Sequence, residues 1–160
     1  MNIFKFVLHT IPFVYLIKSR LNKLSLLISW LISYVFVQYI FVKIFNNSIN
    51  IFDFILIFTF LINIYELGYV FNDVYTIKKE KNPTLRFSKN YLLLLEKKIL
   101  YFIVLKILYI LILIVIIDKE YLDLVFYFSL MIFLFFIFHN YIRNNLNIIT
   151  FLFLNHCKNI

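Results

Sequence analysis

The chain has 160 residues, of which 64% are hydrophobic, and its mean hydropathy is +0.93; a water-soluble domain of this size could not bury that much Ile, Leu and Phe. The formal net charge of +8 would suit nucleic acid, but the basic residues lie between apolar runs, so orientation in a bilayer explains them better and no nucleic-acid partner is expected. A single cysteine, Cys157, excludes an intrachain disulfide framework and argues against a Cys-ligated metal site.

Residues 3–17 begin with Lys5, continue as an apolar run and end at Lys18 and Arg20. They lack the small-residue cleavage site of a secretory signal and fall short of the ~20 apolar residues a spanning helix needs. The expectation is a helix lying on, or dipping into, the membrane interface. Four runs then have spanning length, at residues 24–44, 49–71, 99–117 and 121–138. Ser25, Ser29 and Ser33 recur every fourth residue on the first, a spacing that suits close helix packing.

The connections alternate in charge. Lys18, Arg20 and Lys23 precede the first span, and only Lys43 with a neutral Asn-rich turn follows it. Residues 72–98 carry Lys78, Lys79, Lys81, Arg86, Lys89, Lys97 and Lys98, the third connection is Asp118-Lys119-Glu120, and Arg143 follows the fourth span. The positive-inside bias therefore puts the N-terminus, the 72–98 loop and the tail on the cytoplasmic side of a bacterial inner membrane. Residues 147–154 resume an apolar pattern that reads as an interfacial helix or as the start of a fifth span. The expected fold is an all-α, polytopic transmembrane helix bundle of four spans with partial helices at both ends. So thin a bundle is expected to associate with itself or with a second-half partner.

Thr59, Asn63, Glu66, Val70, Asp73, Ile77 and Glu80 follow steps of three and four and so share one helical face. Glu66 lies ~9 Å inside the end of its span. A carboxylate facing lipid there costs ~2–3 kcal/mol, so it should face protein, water or a cation. Two readings stay open: an ion pair with Lys106 in the third span, or membership of a functional stripe. Gly68, the only glycine, adjoins this face and permits close approach.

The stretch from Asn72 to Arg86 resembles the first aspartate-rich motif of the UbiA family of intramembrane prenyltransferases, in which the second helix runs into a cytoplasmic Asn-Asp-x-x-Asp-x-x-x-Asp pattern followed by Pro and Arg. Asn72 and Asp73 match the opening pair, Thr76 stands where the next Asp belongs, and Glu80 takes the last acidic position. The run Asn82-Pro83-Thr84-Leu85-Arg86 is similar to that of the branch containing decaprenyl-phosphate phosphoribosyltransferases, and His139-Asn140-Tyr141 resembles the exit of the family's fourth helix. The likeness covers only the N-terminal half of the family fold, and no acid follows Arg143 to supply the second aspartate motif.

The resemblance implies a transferase acting on a polyprenyl phosphate or diphosphate with Mg²⁺ at the cytoplasmic face. Asp73 and Glu80 would be the metal ligands, and Asn72, Arg86, Lys79, Lys81, Glu66 and Asn63 would bind substrate. Mg²⁺ commonly shares one or two carboxylates with substrate phosphates, and arginine grips phosphate bidentately. Thr76 removes one charge from such a site. Thr76 and the missing half also fit an alternative, a non-catalytic, truncated or accessory protein of the same ancestry. The positive-inside bias alone accounts for the lysines. His9, His139 and His156 are scattered without an i, i+4 pair for zinc, and no nucleophilic triad or Gly-rich phosphate loop is present.

Overall fold

A computed structural model describes residues 3–45, 48–79, 83 and 85–141. Among these residues every regular element is helical.

The N-terminal segment forms two short helices, α1 (Ile3–Leu8) and α2 (Val14–Arg20), where the sequence suggested one. Pro12 separates them: it has no N–H to give a helix, and its ring pushes the preceding residue away from helical geometry. Phe13 completes the turn at φ 69°, a left-handed conformation that costs a residue with a Cβ about 1–2 kcal/mol. Its ring is held by stacking on Phe58 at 6.0 Å and by an edge contact with Trp30 at 6.5 Å.

The first span is continuous helix in three parts: α3 (Leu24–Trp30), a π-helical stretch (Leu31–Phe36) and α4 (Val37–Phe45). Little of it is covered by the rest of the chain, and Leu24, Ile32, Phe36 and Ile44 are exposed to the surroundings. The second span, α5 (Ile51–Val74), starts at Asn50, whose Oδ1 accepts the Asp53 N–H at 2.9 Å. It ends in a single 3₁₀ turn, Thr76–Lys79. Its 24 residues measure about 36 Å, enough to cross the ~30 Å hydrocarbon layer. Within residues 72–98, read from sequence as a loop, lies a further helix, α6 (Lys89–Lys97), capped by Ser88, which accepts from the Tyr91 N–H. The last two spans are α7 (Ile99–Ile116) and α8 (Lys119–Tyr141). Among the described residues four helices are thus long and apolar enough to cross a membrane, and the protein is an all-α polytopic bundle. The expected apolar segment 147–154 lies outside the described residues.

Helix α5 is the axis, packing against α7 and α8. At one end, Ile49, Phe54 and Phe60 meet Leu113, Ile117, Tyr121 and Val125. At the other, Val70 and Val74 of α5 meet Tyr91 and Leu95 of α6, Phe102 of α7, and Phe6 and Tyr15 of the N-terminal hairpin. The hairpin packs into the bundle through Phe6, Tyr15 and Leu16, which are buried, while Phe4, Val7 and Ile11 stay exposed. Lys18, Lys23, Lys78, Lys79, Lys89, Lys97 and Lys98 flank this second end, which is therefore strongly basic.

Gly68 sets the approach of α8. A Cβ there would lie 2.6 Å from ring atoms of Phe136, too close for any side chain without displacing the ring. Gly68→Val is therefore expected to lower stability by about 1–3 kcal/mol, read as an earlier thermal unfolding midpoint in detergent. Gly68→Val combined with Phe136→Ala should recover part of that loss. A Gly68→Val protein that melts with the wild type would contradict this packing.

Candidate functional site

Asn63, Glu66, Val70 and Asp73 form one buried face of α5, as the spacing suggests. The two acids are seven residues apart, about 10 Å along the helix axis. What each carboxylate meets decides what the face can do.

Glu66 is fully buried and paired with Lys106 of α7, which is fully buried too. Of the two readings left open by the sequence, the ion pair is the one the structure contains. Glu66 has a further partner. Its Oε1 accepts the Leu16 N–H at 2.7 Å. That N–H belongs to the first turn of α2, where no intrahelical acceptor exists. Phe13, at the N-cap position, has no side-chain acceptor to offer, and α2 has no side-chain cap of its own. Glu66 thus caps α2 from a different helix, placing negative charge at the positive end of its dipole.

Asp73, only 2% exposed, is held from three sides. Arg20 of α2 grips it in a fork, Nη1 to Oδ2 and Nη2 to Oδ1, both at 3.1 Å. Arg86 donates from Nη1 to Oδ1 at 3.2 Å, and the Tyr15 hydroxyl donates to Oδ2 at 2.8 Å. Burial, reinforced by the Asp73 carboxylate, pushes the Tyr15 hydroxyl far above the ordinary tyrosine range, so it stays protonated as a donor. The Arg20 guanidinium lies 4.1 Å over the face of Tyr69, whose hydroxyl donates to Tyr65 at 3.0 Å. A separate contact between His9 Nδ1 and the Tyr91 hydroxyl ties the hairpin to α6. Burial raises the Tyr91 hydroxyl as well.

The residues proposed from sequence thus fall into three groups. Glu66, Asp73, Arg86 and Asn63 are gathered at, or next to, this face. Asn72 is half-buried at the end of α5, and Lys79 points outward, exposed. Glu80 and Lys81 lie outside the described residues. Asn63 is fully buried, and neither its Oδ1 nor its Nδ2 has a hydrogen-bond partner among the described residues.

Of the two acids expected to hold Mg²⁺, Glu80 lies outside the described residues, and Asp73 is already fully engaged. Both oxygens of Asp73 are taken by cationic or hydroxyl donors, and among the described residues no group of three or more His, Cys, Asp or Glu side chains could hold a metal. A hard cation would have to displace two guanidinium groups to reach this carboxylate.

Sequence reasoning missed Arg20, Tyr15 and Tyr69. Arg20 read only as flanking charge, because its partner lies 53 residues away. The available signal was Pro12, which forces the turn that lets α2 lie beside α5. Comparison with protein-family models, with curated proteins and with solved structures finds no match to this chain.

Breaking the inner ion pair on one side should strand a buried charge. Lys106→Met is expected to cost about 3–5 kcal/mol in denaturant titrations of the solubilised protein. Glu66→Gln combined with Lys106→Met should be less damaging than the sum of its parts. Wild-type stability in Lys106→Met would show that the pair does not hold the bundle.

Proposed function

We propose that this chain is an integral membrane protein that holds an anionic, lipid-linked phosphate at the basic end of its bundle. The lysine and arginine distribution supports turning that end to the cytoplasm of a bacterial cell. The observation that carries the proposal is the convergence of Arg20 and Arg86, from separate segments, on the single carboxylate of Asp73. Two cations on one anion leave the cluster positive. Arg86 is a third exposed, so it can reach an incoming group. Guanidinium groups match phosphate oxygens in planar, bidentate geometry, and a bilayer supplies few other anions.

The likeness of residues 72–86 to the first UbiA motif supports a kinship with transferases of polyprenyl phosphates and diphosphates, this chain corresponding to their N-terminal half. Within that kinship, the non-catalytic or accessory alternative is favoured by one observation. The acid that should carry the metal is already neutralised by arginines. The phosphate would then be held by direct arginine contacts, and any group transfer would need residues supplied by a partner chain.

The test is a titration of the protein in nanodiscs with a polyprenyl phosphate and with the uncharged polyprenol of the same length. Saturable binding of the phosphate is expected, at least about tenfold tighter than the alcohol, weakening with salt and persisting when divalent cations are chelated. Equal binding of the alcohol would contradict phosphate recognition. Loss of binding on chelation would restore a metal-centred site and overturn direct recognition by arginine.

A further inference from the structure

Beside Arg20 lies a pocket of about 290 Å³ between α2, α3 and α5, lined by Arg20, Ser29, Trp30, Tyr34, Tyr65 and Tyr69 with leucine and isoleucine around them. We infer that this pocket seats the phosphoryl headgroup of a lipid, with Arg20 as its anion-binding side chain and the hydrocarbon chain reaching it from the bilayer between α3 and α5. The inference rests on the lipid-phosphate reading above and assigns it a place.

Three observations support the location. First, Arg20 is prepared for a second anion. Asp73 engages two of the five N–H groups of its guanidinium, and the Tyr69 ring fixes the plane from one side. The side chain is 14% exposed, so it is held yet reachable. Its charge is only shared with Asp73, because Arg86 bonds the same carboxylate.

Second, the pocket has a lipid-facing wall. Ser29 and Leu26 of α3 are exposed, and the span to which they belong is the least covered of the four. A ligand with an apolar body therefore needs no aqueous path to arrive.

Third, the pocket continues inward. A narrow cleft of about 20 Å³ shares Trp30, Tyr34, Ile62 and Tyr65 with it and runs on past Phe58, Leu61 and Ile132. The pocket accommodates a phosphoryl group with the first carbons of its chain, while the cleft marks the direction the chain takes. The remainder would lie in the bilayer. Tyrosine and tryptophan, with an apolar body and one polar atom, suit that change from headgroup to chain.

Trp30 is the only tryptophan of the chain, so its fluorescence reports on this pocket and the cleft that continues it. The experiment places the full chain in zwitterionic nanodiscs containing increasing amounts of a phosphatidic acid brominated on its acyl chains. Brominated phosphatidylcholine and inorganic phosphate serve as separate arms. Expected is saturable quenching of Trp30 by the brominated phosphatidic acid at about tenfold lower mole fraction than by the brominated choline lipid. Ser29→Phe, which fills the lipid-facing wall and removes no hydrogen-bond partner of Asp73, should remove the saturable component while leaving the melting curve intact. Arg20→Lys, which keeps the charge but not the fork, should weaken it about tenfold.

Identical quenching by the two brominated lipids, or saturable quenching that survives in Ser29→Phe, overturns the assignment. So does full competition by inorganic phosphate, because the seat would then recognise free phosphate without the chain. If polyprenyl phosphate still binds in the titration of the preceding section while Trp30 is not quenched, the headgroup sits elsewhere and only the location fails. Absence of binding in both experiments removes the lipid-phosphate reading itself.

Discussion

Two carboxylates placed on one face of a membrane-spanning helix must be given donors, and that requirement organises the basic half of this bundle. In hydrocarbon an ionised side chain without partners is expensive, and water is not at hand to repair it. Glu66 receives a lysine from α7 and the Leu16 N–H from the first turn of α2. Asp73 receives two arginines and a tyrosine. The N-terminal hairpin supplies donors to both acids, so it belongs to the interior as much as any span. Its left-handed Phe13 and the Pro12 turn place α2 with its Leu16 N–H against Glu66 and its arginine at Asp73.

The same economy shapes what the site can do. Glu66 is saturated by an inward partner, Lys106, and its role is to fasten the hairpin. Asp73 is saturated by cations that lie nearer the surface, and among the described residues it engages two of the five N–H groups of Arg20. The inner acid therefore fixes geometry, and the outer acid aligns positive charge at the basic end of the bundle. Arg20 has already given up its rotamer freedom to Asp73 and Tyr69, which would lower the cost of the binding proposed for it.

Much of the fold is legible in the sequence because the spans are long uninterrupted apolar runs, and only their ends shift. Span α5 runs to Val74, three residues past the boundary that hydropathy suggests, because Val70 and Val74 continue its buried face. Helix α6 was hidden inside a lysine-rich connection, although the Ser88 cap and the Leu92–Leu95 run carry its signal. The stripe of Asn63, Glu66 and Asp73 was legible as a buried face, since periodicity reports which residues point together. It cannot report partners. An acid and an arginine separated by 13 residues read equally well as metal ligand with phosphate binder or as an ion pair, and in the structure they bond each other. Arg20, 53 residues from Asp73, was not legible at all without the turn at Pro12.

The docking of α2 through the Glu66 carboxylate is the most direct point of attack, because one amide reports it. Hydrogen exchange at the Leu16 N–H, followed by NMR in detergent or nanodiscs, should be strongly retarded in the wild-type protein. It should accelerate by orders of magnitude in Glu66→Ala, while amides in the middle of α7 and α8 stay protected. Exchange at Leu16 as fast as in an unstructured peptide, or equally slow in both proteins, would contradict a hairpin held by a carboxylate in the span.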